Sequence, residues 1–231
     1  KEIDEDEYTE IKSNQITDIV IPSSVKSIGK NAFAFCTNLN TVTFEENSSI
    51  ESFAEEVFVY CTALKNINIP ISIKKISEEA FAKCSSLTKI IIPDSVTEIS
   101  KGVFLKCSSL ESIIIPENIT IIGCELFRYC SNLSSVILPN KISEIENAAF
   151  EGCQLLSNIE LPNSITKIGT NAFYGCKQLI IDKLPEELLT IGHLSFGYCS
   201  SLIRMTIPKN VITIGSYAFS GCDSMKDITF S

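Results

Sequence analysis

The cysteines of this chain recur at a fixed interval, and that interval shows that the sequence is a tandem repeat. From Cys61 to Cys222 a cysteine returns every 23 residues, and Cys36 precedes Cys61 by 25. A phenylalanine lies three residues before each of these nine cysteines. A unit of about 23 residues is too short to bury its own apolar face, so the repeats must stack to form a core.

The shared unit reads L-x-x-I-x-I-P-x-x-V-x-x-I-G-x-x-A-F-x-x-C-x-x. Alternating apolar residues in its first part predict a β-strand with one buried face, and proline then ends the strand because it has no N–H for a ladder. The spacing of A-F-x-x-C predicts a single helical turn facing inward. Glycine follows the second apolar pair in five units, which predicts a bend or a positive φ there; these are Gly29, Gly123, Gly169, Gly192 and Gly215.

Stacked units of this kind predict a right-handed leucine-rich-repeat solenoid of gentle curvature. One long parallel β-sheet of about ten short strands should form the concave face, with extended segments and one-turn helices on the opposite side. We expect a single solenoid of about nine repeats over residues 16–231. Residues 1–15, which include the acidic stretch KEIDEDEYTEIK, are predicted to form a solvated head or a partial cap.

The repeat resembles a known family. Two copies, LTKIIIPDSVTEISKGVFLKCSSL and LSNIELPNSITKIGTNAFYGCKQL, are similar to the BspA-like leucine-rich repeats, and the resemblance covers residues 16–230. The resemblance implies a leucine-rich-repeat solenoid of the kind met in surface or secreted proteins of mucosa-dwelling bacteria and protozoa, where adhesion to host proteins is the usual proposal. It implies no ligand and carries over no catalytic residue.

The regular cysteines admit two interpretations. Adjacent coils would bring their Cα atoms near the separation that a disulfide needs, but nine is an odd number and in-register parallel side chains give a poor dihedral angle. We therefore favour a ladder of buried, reduced thiols that pack as small apolar residues. Zinc needs converging pairs of ligands, which single cysteines and one histidine do not supply, so neither a metal nor another cofactor is expected.

Two reactive residue types stand outside the apolar columns. Cys124 falls in a polar column, so we predict that it is the most exposed and most readily alkylated thiol, with an inert surface substitution as the alternative. His193 lies in the same column without a positioned nucleophile or carboxylate. The sequence contains no phosphate loop and no metal-ligand set, and we predict that the protein is not an enzyme.

The candidate binding site lies on the outward face of the predicted sheet. Three neighbouring strand phrases carry isoleucine at the outward position, and polar residues precede them by two positions on the same face. The isoleucines are Ile91, Ile114 and Ile137, and the polar residues are Lys89, Ser112 and Ser135. An exposed apolar row is typical of a protein contact, although β-branched residues also suit a sheet surface for their strand propensity alone. Tyr60, Tyr129 and Tyr198 are predicted to be rim residues.

Charge and length restrict the partners. The net charge is −9 with lysines scattered singly, which argues against nucleic acid, and no apolar run is long enough to insert this segment into a membrane. We predict a non-enzymatic protein-binding module, either surface-exposed or secreted, or alternatively an intracellular (cytoplasmic) scaffold or inhibitor. The chain stops after the strand phrase DITF, so further repeats or end-to-end packing are expected at that end.

Overall fold

The computed structural model describes residues 15–231, and the predicted acidic head therefore lies almost entirely outside the described residues. All strand pairs are parallel and join equivalent residues of successive repeats. The repeats thus form stacked coils, and the predicted solenoid is confirmed. We number the coils 1 to 9; coil 1 spans residues 16–38, coil 2 spans 39–63, and each later coil spans 23 residues.

The strands form two rows along the solenoid. The first row comes from the L-x-x-I-x-I segment and comprises β1 (Asp18–Ile21), β2 (Thr41–Phe44), β4 (Asn66–Ile67), β7 (Ser112–Ile114), β9 (Ser135–Ile137), β11 (Asn158–Ile159), β14 (Arg204–Ile207) and β16 (Asp227–Phe230). The predicted extended segments pair as a second row, namely β3 (Ser52–Phe53), β5 (Lys75–Ile76), β6 (Glu98–Ile99), β8 (Ile121–Ile122), β10 (Glu144–Ile145), β12 (Lys167–Ile168), β13 (Thr190–Ile191) and β15 (Thr213–Ile214).

The core between the rows is a stack of identical residues. The leucine, isoleucine and cysteine columns are almost completely buried. The phenylalanine rings of successive coils, from Phe33 to Phe219, stack with centroids 5.2 to 5.9 Å apart and planes within 14° of parallel. Because each ring covers the next, every internal coil depends on both neighbours for the burial of its own phenylalanine.

The A-F-x-x-C segment is not the predicted one-turn helix. Each coil instead has two left-handed residues in this segment, one two positions before the phenylalanine and one directly before the cysteine, such as Glu79 and Lys83 in coil 3. A left-handed residue cannot continue a right-handed helix. It turns alternate N–H groups toward the next coil, so that Glu79, Phe81 and Lys83 donate to the carbonyls of residues 101, 103 and 105 at 3.1, 3.0 and 2.6 Å.

This turn segment is the continuous spine of the solenoid. The same three hydrogen bonds join every pair of adjacent coils from coil 1 to coil 9. Both strand rows, by contrast, are interrupted within the described residues. The first row has no pairing between coils 3 and 4 or between coils 7 and 8, and the second has none between coils 4 and 5. The turns therefore hold the coils together where the sheets do not.

The glycine column is explained by close approach rather than by positive φ. None of its five glycines has a positive φ. A Cβ atom added at Gly169 would lie 2.7 Å from the backbone N of Asn147, and one at Gly192 would lie 2.6 Å from the backbone N of Thr170. Real Cβ atoms do not come so close to backbone atoms, so the stacking of coils 6 to 8 requires glycine here.

Candidate functional site

The three predicted isoleucines lie side by side on the outer surface of the first row. Ile91, Ile114 and Ile137 are 71%, 63% and 57% exposed, and Ile114 pairs in register with Ile137. Their buried neighbours on either side in sequence face the core, because side chains alternate along a strand. We call these three residues the isoleucine ridge.

A polar row accompanies the isoleucine ridge. Lys89 bridges to Ser112, and Ser112 pairs with Ser135. Lys89 and Ser112 are exposed, and Ser135 is half-buried. The structure therefore brings all six predicted residues onto one surface, in two parallel rows that cross coils 4 to 6.

A groove of about 920 Å³ lies beside the ridge, over coils 2 to 4. The edge strands on either side are residues 65–69 and 88–91, and Ile71 and Ile91 are exposed at its border. The groove coincides with the break in the first row between coils 3 and 4. Our sequence analysis missed it. The available signal was Asn68, which replaces the β-branched residue found at this strand position in most other repeats.

Asn68 explains where the strand pairing stops. Its side chain accepts a hydrogen bond from the backbone N of Phe44 at 3.0 Å and donates to the carbonyl of Phe44 at 3.4 Å. A side-chain amide thus takes the place of a backbone partner at the end of the β2–β4 pair. β4 accordingly ends at Ile67.

The repeated cysteines are structural. All ten cysteines of the chain carry free thiols. From Cys61 onward, each ladder Sγ donates to the carbonyl of the phenylalanine in the preceding coil, at 3.0 to 3.3 Å. Cysteine therefore meets two needs of this column, since it is small enough to be buried and still offers a weak donor to a buried carbonyl.

Burial suppresses the reactivity of the ladder. It raises the pKa of Cys107 to about 12 and holds the pKa of Cys84 and Cys130 well above the ordinary range. At the first coil, a hydrogen bond with Cys61 lowers the pKa of Cys36, but Cys36 is only 3% exposed. Because the thiolate is the reactive species, these residues are poor candidates for chemistry.

Cys124 is the most accessible thiol, although it is half-buried rather than exposed. Partial burial, followed by the carboxylates of Glu146 and Glu125, raises its pKa. Glu146 stands in the glycine column, and its carboxylate accepts a hydrogen bond from the backbone N of Cys124 at 2.8 Å. The prediction that Cys124 is the most readily alkylated cysteine remains a prediction, and the two carboxylates oppose it.

The remaining polar residues have structural surroundings. Tyr129 donates to Glu151 at 2.8 Å, and Arg128 forms an ion pair with the same buried carboxylate at 3.0 Å. His193 is exposed and meets the edge of Tyr217. Across residues 15–231, no three histidine, cysteine or acidic side chains are grouped to hold a metal ion, and no helix has the length and apolarity to cross a membrane.

The last turn segment presents donors that have no acceptor among the described residues. The N–H groups of Tyr217, Phe219 and Gly221 correspond to those that reach the next coil elsewhere. Nearby, Phe230 is 70% exposed. The expectation that further coils or another molecule cover this surface stays a prediction.

Comparison with known proteins supports one family. A leucine-rich repeat protein from Bacteroides ovatus is 33% identical, with a TM-score of 0.74 over 92% of this chain and 60% of its own. One from T. pallidum is 32% identical, with a TM-score of 0.68 over 71% and 78%. A leucine-rich cell surface protein from Faecalibacterium prausnitzii is 26% identical, with a TM-score of 0.56 over 93% and 79%.

No curated protein sequence matches the chain. The profile of the BspA type leucine rich repeat region matches six copies, over residues 1–134 and 120–231. These matches cover the whole sequence and agree with the coils of the structure. The chain therefore belongs to the BspA-type leucine-rich repeat family.

Proposed function

We propose that the protein is a non-enzymatic binding module that contacts a protein partner through the isoleucine ridge. The observation that carries the proposal is the exposure of three isoleucines in register on adjacent coils. Isolated exposed apolar residues are normal, but a continuous row beside polar residues is typical of an interface. The polar row of Lys89, Ser112 and Ser135 would form one rim of that contact.

We place the module at the cell surface or outside the cell, in adhesion or another host interaction. The similarity to a cell surface protein from Faecalibacterium prausnitzii supports this location. The free thiols do not argue for the alternative, an intracellular scaffold or inhibitor. Oxidation needs an accessible thiolate, and the ladder thiols are buried with raised pKa values, so they can persist in an oxidising compartment.

Adhesion can be measured with beads that carry the purified protein. We expect the beads to bind cultured epithelial cells, and the variant Ile91→Ser/Ile114→Ser/Ile137→Ser to lose most of that binding. The matched control is Ile180→Ser/Ile203→Ser, which changes two isoleucines that are exposed but lie outside the ridge. Binding that survives in the ridge variant, or that is lost equally in the control, contradicts the role of the ridge.

The location needs a separate measurement. Antibody labelling of intact source cells should detect the protein without permeabilisation if it is surface-exposed, and the culture medium should contain it if it is secreted. Labelling that requires permeabilisation would favour the intracellular scaffold.

A further inference from the structure

We infer that the groove between coils 3 and 4 is a docking site for an extended, acidic segment of a partner protein. The inference rests on the proposed binding function. It assigns a second subsite beside the isoleucine ridge and states the chemistry of the segment that fits it. Three features of the groove carry the inference: its backbone edges, its apolar side chains and its two lysines.

The backbone edges require a polypeptide partner. Residues 65–69 pair only with coil 2, and the bridge at Lys89 joins coil 4 only to coil 5, so no strand pairing spans the groove within the described residues. Unpaired edges of a sheet present N–H and C=O groups that another strand can pair with. An extended peptide that adds to such an edge is a common mode of recognition.

The opening is confined to one face and has a defined cause. On the other two sides coils 3 and 4 are joined, since β5 pairs with β6 and the turn segments share their three hydrogen bonds. Asn68 ends the first-row pairing by bonding both backbone groups of Phe44. The groove is therefore held open by a rigid frame, which lowers the ordering cost of binding.

The side chains favour alternating residues in the partner. Ile67, Ile69 and Ile90 line the base of the groove and are mostly buried, whereas Ile71 and Ile91 are 85% and 71% exposed at its border. Side chains of an extended segment point alternately to opposite sides. Apolar residues at every second position would cover the two exposed isoleucines.

The charge of the groove favours acids at the intervening positions. Lys65 and Lys89 line the two edges, and both are exposed. Neither forms an ion pair with any described residue, whereas Lys75 and Lys101 nearby do. The only acid lining the groove is Asp94. A groove with a surplus of positive charge in a protein of net charge −9 is complementary to a carboxylate-bearing segment and repels basic ones.

A nine-residue fluorescein-labelled peptide in which glutamate alternates with valine is a suitable probe. We expect saturable binding to the full chain by fluorescence anisotropy, with weakening at higher salt. The double variant Lys65→Glu/Lys89→Glu should weaken binding by about tenfold or more. The matched control Lys209→Glu removes an exposed lysine of coil 9 and should leave binding unchanged. The neutral variant Lys65→Gln/Lys89→Gln should fall between them, and circular dichroism should show that all variants fold.

Two modified peptides test the backbone and the charge separately. Methylation of alternate backbone nitrogens removes the donors that pair with the edge, and it should abolish binding while leaving the side chains intact. A peptide with lysine in place of glutamate should not bind. Equal binding of the methylated and unmodified peptides, or equal affinity in the Lys209→Glu and Lys65→Glu/Lys89→Glu proteins, overturns the inference.

The groove and the ridge can fail independently. Ile114 and Ile137 do not line the groove, so Ile114→Ser/Ile137→Ser should retain the peptide but reduce adhesion of the beads to cells. Loss of adhesion with no peptide binding in any protein supports the proposed function and refutes the groove. Peptide binding without any effect of the ridge variant on adhesion supports the groove and refutes the ridge.

Discussion

Replacement of Gly192 by alanine should destabilise the protein, because a methyl group has no room between coils 7 and 8. The added Cβ would contact three backbone atoms of the preceding coil, and it would lie 2.6 Å from the carbonyl oxygen of Gly169 and 2.6 Å from the N of Thr170. Backbone atoms cannot swing aside as a side chain can. The two coils are also joined there by the hydrogen bond from Gly192 to Ile168, at 2.8 Å.

The same column contains a matched control. Gly123 lies at the break in the second strand row between coils 4 and 5. A Cβ there would meet the carbonyl oxygen of Ile99 at 3.7 Å, which is an ordinary contact. Because neither glycine has a positive φ, the two substitutions differ in the space available and not in backbone strain.

The magnitudes follow from this difference. Overpacking of a rigid site costs about 1 to 3 kcal/mol, whereas replacing an unstrained glycine by alanine stabilises by about 0.4 to 1 kcal/mol through the unfolded chain. Gly192→Ala should therefore lower the free energy of unfolding by roughly 1 to 2 kcal/mol, and Gly123→Ala should raise it slightly. For a chain of this size the melting temperature changes by about 2 to 4 °C per kcal/mol.

Urea unfolding followed by circular dichroism at 218 nm gives the two free energies. Hydrogen exchange with mass spectrometry locates the effect, and the amides of Gly192 and Gly215 should exchange faster in Gly192→Ala while those of coil 2 are unchanged. If Gly192→Ala is as stable as Gly123→Ala, or if both are equally destabilised, close approach is not the reason for glycine in this column.

Three further predictions concern the buried polar groups and the thiols. Burial raises the pKa of the ladder cysteines in the folded state, so their stabilising effect is complete below the unfolded pKa of about 8.5 and is lost as pH rises through the folded values. Urea midpoints should thus be flat from pH 7 to 8 and fall steeply above pH 9, and Cys107→Ala should reduce the slope by about 1.4 kcal/mol per pH unit. The hydroxyl of Ser195 is fully buried without a hydrogen-bond partner, so Ser195→Ala should raise the free energy of unfolding by about 1 kcal/mol or more; an unchanged urea midpoint would show that the hydroxyl has a partner. Iodoacetamide at pH 8 followed by peptide mapping should modify Cys124 first, and faster in Glu146→Gln than in Glu160→Gln, because only the former removes a charge that raises its pKa; faster modification of any ladder cysteine would contradict this order.

The isoleucine ridge illustrates how far periodicity alone can reach. The strand register was predictable because equivalent residues of a repeat must lie one above another when units stack, and the alternation of the strand assigns Ile91, Ile114 and Ile137 to one face. The groove was not predictable in the same way. It depends on a side-chain amide, that of Asn68, which bonds the backbone of Phe44 in the preceding coil, and nothing in the spacing of residues indicates that contact.

The turn segment shows why a local rule failed. Spacings of three and four are typical of one face of a helix, and the phenylalanine and cysteine are indeed buried together. The backbone, however, is chosen by hydrogen bonds to the next coil. Those bonds require left-handed residues such as Glu79 and Lys83, whose cost the stacked neighbour offsets.

The sequence by itself determined the repeat, the stacking of coils and the residues that fill the core, because these follow from the period and from the burial of apolar side chains. Only the tertiary structure decided which backbone groups pair across coils, where the strand rows break and how far Cys124 is shielded. Each of these depends on atoms about 23 residues away in the chain, and the distance to them is set by the packing of the whole stack.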